Sequence, residues 1–247
     1  MASLLTPRRE CLNCTKSDGV CSGEVVVITT SQTLEVFVRC GPMIEEGTPQ
    51  EQAAKFYGCL PRLLEGAGVK FSDVVLERVL FRDIDSDFDT VQQVRQAAYA
   101  EAGVKGDDLP TASYINQPPC RPEQTFEMQL QAIIPNGDGE VTVESFPEIE
   151  PRTGKKVIQI GDRRHLYISN INGSNEDGSF STDFREQSDL MFAKSVPMLE
   201  QHATRFKDVV RTWCYLDEID RDYGEFNLSR NEFFIKHDVT RLPASTG

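Results

Sequence analysis

The chain matches itself. At an offset of 135 residues, positions 51–88 lie over 186–223 without a gap, and 11 of those 38 pairs are identical, among them Glu51/Glu186, Leu64/Leu199, Phe71/Phe206, Val74/Val209, Ile84/Ile219 and Asp87/Asp222. Conservative pairs such as Leu80/Tyr215, Asp83/Glu218 and Phe88/Tyr223 fill much of the remainder. A long ungapped repeat means that one structural plan is used twice. The 247 residues accordingly read as two units of ordinary domain size rather than one large domain.

Each copy has the same local grammar. In positions 49–67 the apolar residues Ala53, Phe56, Tyr57, Leu60, Leu63 and Leu64 recur at helical spacing. Thr48 with Pro49 and Glu51 supplies a cap, a first-turn proline and a capping-box acid, and Gly66 and Gly68 stop the helix. Positions 71–81, rich in β-branched and aromatic residues, predict a strand. The second copy predicts a helix near 184–202 and a strand at 206–216. An acidic turn follows each strand, read as a solvated helix cap rather than a divalent-metal site. Second helices over about 88–102 and 223–236 come next, and then Leu109-Pro-Thr-Ala-Ser113 or Leu242-Pro-Ala-Ser-Thr246.

Two strands precede each first helix, at 24–30 and 34–39, and at 156–161 and 165–170; the first copy closes with a strand at 125–134. The fold class is therefore α+β, two tandem β-β-α-β-α-β-β units with helices on one face of a mixed sheet. The expected organisation is an N-terminal cysteine-containing segment at 1–23, a first unit at 24–135, a linker at 136–155 and a second unit at 156–247. The second unit lacks its closing strands, so a partial chain is expected, because an uncovered central strand exposes unpaired backbone groups.

Thirty-nine acidic residues against 26 basic ones give a formal charge of −13, which argues against a nucleic-acid partner. The apolar runs are far short of the roughly 20 residues a membrane span needs, and the N-terminus does not read as a secretory signal; the expected compartment is the cytoplasm. In that compartment Cys40, Cys59, Cys120 and Cys214 read as small reduced side chains. Cys11, Cys14 and Cys21 form a C-x2-C-x6-C run that is either three ligands of a zinc site, with Cys40 as the fourth, or a reduced N-terminal segment. His165, His202 and His237 are widely separated and suggest neither a triad nor a metal set.

The segment His165-Leu-Tyr-Ile-Ser169 before a first helix, Phe206-Lys-Asp-Val-Val-Arg-Thr-Trp213 after it, and the Leu-Pro-Ala motif together resemble the YjgF/YER057c/UK114 (Rid, endoribonuclease L-PSP-like) superfamily. The resemblance covers residues 24–135 and 156–247, and implies a chorismate-mutase-like α+β unit that assembles as a trimer-like homo-oligomer. Two units in one chain ending in Leu-Pro-Ala-Ser-Thr-Gly are similar to the chorismatase-like branch. That implies hydrolysis or rearrangement of a small carboxylate such as chorismate, with pyruvate release and no cofactor. In this reading the first unit is a structural partner, the second holds the pocket, and the acid that protonates the leaving enolpyruvyl group lies beyond Gly247.

Simple imine deamination fits less well. Small Rid proteins carry an arginine directly after Leu-Pro-Ala, which grips a substrate carboxylate; here Ala112 and Ser245 stand at that place. The family's acidic residue on the closing strand falls at Gln129 in the first unit. The substrate-binding candidates are Arg164, Ser169, Arg211, Ala244, Ser245, Thr246 and Gly247, with no catalytic residue assigned. An enamine or imine deaminase of the general Rid type, or a non-catalytic Rid-fold ligand-binding protein, are the alternatives.

Overall fold

The computed structural model describes residues 8–13, 21–42, 47–148 and 152–246, with the backbone alone for 9–13, 21–22 and 246. The chain divides into two compact units, Met1–Asn170 and Ile171–Gly247. The first contains strands β1 (Arg8–Asn13), β2 (Cys21–Thr29), β3 (Thr33–Pro42), β4 (Val74–Phe81), β5 (Thr111–Asn116) and β6 (Phe126–Pro135), with helices α1 (Pro49–Gly66) and α2 (Ile84–Glu101). The six strands form one sheet in the order β1-β2-β3-β6-β4-β5. Strand β6 is antiparallel to both β3 and β4, and β5 is parallel to β4.

The helices form where the sequence predicts them. Thr48 caps α1 through a complete capping box: its hydroxyl accepts from Glu51 N at 3.3 Å while Glu51 Oε2 accepts from Thr48 N at 2.9 Å. Gly68, at φ +86°, follows the cap in the left-handed region. The acidic turn after β4 is the first turn of α2, with Asp83 Oδ1 accepting from Ser86 N at 3.2 Å. Residues Phe71–Asp73, expected to be strand, form a single 3-10 turn because Asp73 Oδ2 accepts from Lys70 N at 2.7 Å.

Both helices pack on one sheet face, over Val25, Val36, Val38, Val79, Phe81, Met128 and Leu130. Phe56 meets Phe126 edge-on at 5.3 Å, and Phe71 stacks on Tyr99 at 4.1 Å. Among these apolar side chains sits one ion pair. Glu77 accepts from Arg95 Nε and from Tyr99 Oη, both at 2.6 Å, and Arg95 Nη2 donates to Pro110 O at 2.9 Å. The Glu77 and Arg95 side chains are 0% and 3% exposed. Burial, and then the Glu77 charge, hold the Tyr99 phenol well above its ordinary pKa, so it remains a donor.

The expected linker contains a strand, β7 (Val141–Phe146), which pairs with β8 (Lys155–Ile160); β8 in turn pairs with β9 (Arg163–Ile168). This three-stranded sheet belongs to the first unit, where Ile158 of β8 packs with Val75 and Ile133 from the sheet face opposite the helices. The β8–β9 hairpin was expected to open the second unit. The unit boundary instead falls between Asn170 and Ile171.

The second unit contains α3 (Phe184–Glu200), β10 (Arg211–Trp213), α4 (Ile219–Lys236) and β11 (Ala244–Thr246). The helix starts Pro49 and Phe184, and Ile84 and Ile219, differ by the repeat offset, as do the 3-10 turns Phe71–Asp73 and Phe206–Asp208. Strand β10 pairs in parallel with β11, with Arg211 opposite Ala244, as β4 pairs with β5, with Leu76 opposite Thr111. The strand expected over 206–216 is only three residues long, and β11 is its one strand partner among the described residues. A β6-like strand, which flanks β4 on its other side in the first unit, is not among them. Val75 is 4% exposed and its counterpart Val210 is 73% exposed.

Of the cysteines, Cys40 is buried and free, Cys120 is exposed, and Cys59, expected to be reduced, is disulfide-bonded. No helix among the described residues is long and apolar enough to cross a membrane.

Two substitutions test this packing. Glu77→Leu leaves the buried Arg95 uncompensated and should destabilise the first unit by about 3–5 kcal/mol in urea denaturation, whereas the double variant with Arg95→Met should recover most of that loss. Gly154→Ala places a Cβ 2.1 Å from Thr111 Oγ1. It should lower the thermal midpoint, and a midpoint equal to wild type would show that the contact is not tight.

Candidate functional site

The two Leu-Pro motifs occupy equivalent places, each leading into a strand that pairs in parallel with the strand before the second helix. In the first unit this segment borders a cleft of about 680 Å³. One wall is α2, with Phe88, Gln92 and Arg95; a second is Pro110, Thr111, Ala112 and Tyr114; the third is Phe146, Arg152 and Lys155. A clamp holds the third wall in place: Thr111 Oγ1 lies 2.8 Å from Ser169 Oγ, and Ser169 N donates to Gly154 O at 2.9 Å. Lys156 Nζ adds bonds to the carbonyls of Asp107 and Asp108 at 3.4 and 3.1 Å.

Inside the cleft the cations are placed against rings. The Arg152 guanidinium lies 3.7 Å from the Phe88 ring centroid and Lys155 Nζ lies 4.9 Å from that of Phe146. Gln92 Oε1 accepts from Tyr114 Oη at 3.3 Å and from Arg95 Nη1 at 3.5 Å, leaving Gln92 Nε2 without a hydrogen-bond partner. Ala112 contributes no charge, and Arg95 behind it is neutralised by Glu77. Ala112 is in register with Glu77, while Gln129 is in register with Arg78 and accepts from Arg78 Nη1 at 2.7 Å. Ala112 and Gln129 therefore leave opposite sheet faces, and these two positions do not converge on one reacting atom in this unit.

In the second unit Thr212 is in register with Ser245. Burial pushes the Cys214 thiol up, against the nearby Thr212 hydroxyl, the Arg230 charge of α4 and the Ser245 hydroxyl, which pull it down. Arg230 Nη2 donates to Asn227 Oδ1 at 2.5 Å, and its guanidinium lies 5.4 Å from the Phe226 centroid. At the repeat offset, Thr212 stands for Glu77, Cys214 for Val79, Arg230 for Arg95 and Phe234 for Tyr99. Arg211 lies 5.3 Å from the Trp213 ring centroid and is exposed.

The residues singled out from sequence fall in two places. Arg164 is exposed on β9 of the first unit, 3.8 Å from Glu144, and Ser169 is buried there, with its hydroxyl committed to Thr111. Arg211, Ala244, Ser245 and Thr246 come together through the β10–β11 pairing, and Gly247 lies outside the described residues. Arg230, Thr212, Cys214 and the cleft cations Arg152 and Lys155 were missed. Extending the repeat past Phe88 and Tyr223 would have found Arg230, because Arg95 and Arg230 are identical at the same offset.

Cys14, and the side chains of Cys11 and Cys21, lie outside the described residues. Cys40, the fourth zinc ligand expected with them, is buried; burial above all raises its pKa, which opposes the thiolate a metal needs. Among the described residues no group of three or more His, Cys, Asp or Glu side chains could hold a metal ion.

Residues 16–134 match the Endoribonuclease L-PSP family. No curated protein matches the chain. Among solved structures, the YjgF gene product of E. coli is 20% identical over 39% of this chain and 80% of its own, with a TM-score of 0.34. Rv2704 of Mycobacterium tuberculosis, a member of the YjgF/YER057c/UK114 family, is 18% identical over 51% of this chain and 100% of its own, with a TM-score of 0.34. A Salmonella typhimurium protein is 16% identical over 53% of this chain and 99% of its own, with a TM-score of 0.41. The match to the Endoribonuclease L-PSP family thus spans residues 16–134, just under half of the chain.

Proposed function

We propose that this protein is a Rid-superfamily enzyme of the chorismatase-like kind, and that it releases pyruvate from a small enolpyruvyl carboxylate such as chorismate. The observation that carries the reading is the β10–β11 register. It sets Thr212 opposite Ser245 on one face of the strand pair and Arg211 opposite Ala244 on the other, so that hydroxyl-bearing residues line one face and a small residue lies beside a basic one on the other. The chain carries two copies of one plan, and the second copy is the catalytic one. The first copy, with Ala112 where small Rid proteins carry an arginine and with Arg95 neutralised, is its structural partner.

In the reaction a proton is delivered to the enol-ether double bond, water adds to the resulting oxocarbenium carbon, and the hemiketal collapses to pyruvate and the ring alcohol. Arg211 and the backbone of 244–246 hold the substrate, while Arg164 of the first unit is the least supported of the binding candidates because Glu144 lies beside it. The assembly is a trimer-like homo-oligomer, which light scattering measures. A cytoplasmic setting requires the Cys59 disulfide to open in the reducing pool.

Full-length protein incubated with chorismate should release pyruvate, read by coupling to lactate dehydrogenase. No release above the enzyme-free rate would overturn the reading. Ammonia release from an imino acid above the free-solution rate would replace it with the imine-deaminase alternative, and inactivity towards both would favour a non-catalytic binding protein.

A further inference from the structure

The repeat keeps one half of a buried ion pair and discards the other. In the first unit Arg95 donates to Glu77 at 2.6 Å, to Pro110 O and to Gln92 Oε1, and is sealed from solvent. In the second, Arg230 keeps the neighbour three residues back, Asn227 for Gln92. Glu77 has become Thr212 and Tyr99 has become Phe234, so both the carboxylate and the phenol that served it are gone. Among the described residues Arg230 forms no ion pair.

Losing the acid while keeping the base leaves a half-exposed guanidinium with no carboxylate beside it among the described residues. The replacement also opens space. Threonine is shorter than glutamate, and Thr212, Cys214 and Arg230 are half-exposed and Ser245 exposed, where Glu77, Arg95 and Ala112 are buried. A solute can therefore reach this place in the second unit and not in the first.

We propose that Arg230 is the carboxylate anchor of the second unit: a small-molecule carboxylate takes the place that the Glu77 side chain fills in the first, gripped by the guanidinium and flanked by the hydroxyls of Thr212 and Ser245. The planar fork of arginine suits a bidentate carboxylate. This rests on the reading of the second unit as the substrate-binding one, and it assigns the charge recognition to α4 rather than to the Leu-Pro-Ala-Ser-Thr segment.

The test is isothermal titration of the full-length protein with benzoate and chorismate, using methyl benzoate as the uncharged control. Wild type should bind both carboxylates and not the ester. Arg230→Gln should weaken binding at least about tenfold, as expected for losing a charge-assisted pair, and Arg230→Lys should fall between. Thr212→Glu rebuilds the first unit's pair and should weaken binding as much as Arg230→Gln, with no drop in thermal midpoint. Lys105→Gln, exposed in the first unit, should bind as wild type does. Wild type that binds neither carboxylate, or a folded Arg230→Gln protein that binds them undiminished, would overturn the anchor. Chorismate bound through Arg230 without pyruvate release would overturn the chorismatase-like reading alone, and pyruvate release undiminished in Arg230→Gln would overturn the anchor alone.

Discussion

One strand holds the first unit together. β6 enters the sheet last and lies between β3 and β4, antiparallel to both, so its backbone satisfies two edges that no other segment of the unit reaches. Its side chains serve both layers: Met128 and Leu130 face the helices, while Ile133 meets Ile158 on the other side. Without such a strand, a β-β hairpin and a β-α-β crossover with the same sequence grammar have no common partner. That is the situation among the described residues of the second copy, where β8 lies between β7 and β9 in the first unit and β10 pairs with β11 alone.

This constraint explains what the sequence could and could not reveal. Helix positions were legible because they depend on local chemistry that the repeat writes twice: caps at Thr48 and Asp83, and apolar spacing along α1. The α+β class and the Leu-Pro motifs were legible for the same reason. Strand partnership was not, because periodicity says which residues favour extended backbone but not which neighbour will hydrogen-bond them. Positions 206–216 have the composition of a strand, yet only Arg211–Trp213 is one, since β-structure needs a ladder and the helix needs none. β7 was missed for the converse reason: its exposed, acidic sequence reads as linker, and its pairing with β8 comes from tertiary context.

The site divides along the same line. Arg211, Ala244, Ser245 and Thr246 were picked from a motif and lie on paired strands, Arg211 opposite Ala244 on one face and Ser245 on the other. Ser169 was chosen as a hydroxyl beside a motif, but its partner Thr111 is 58 residues away in sequence, and nothing local announces that clamp. Arg230 was legible in principle and passed over, because the sequence comparison stopped where conspicuous identity stopped.

The electrostatics of the two copies then follow from one substitution. A buried Glu–Arg pair such as Glu77–Arg95 is weak evidence for stability, since desolvation offsets much of the attraction; its effect is to neutralise Arg95. Exchanging the acid for Thr212 reverses that at small structural cost, because Arg230 lies near the surface, where water screens part of its charge. The other carboxylates of this acidic chain act on a ligand only through solvent and salt, within a Debye length of about 8–10 Å. A nearby guanidinium therefore decides the sign of the field an anion meets at close range. On this view the duplication created two identical arginines, and losing one carboxylate made them different kinds of residue: Arg95 closes a core, and Arg230 waits for an anion that none of the described residues provides.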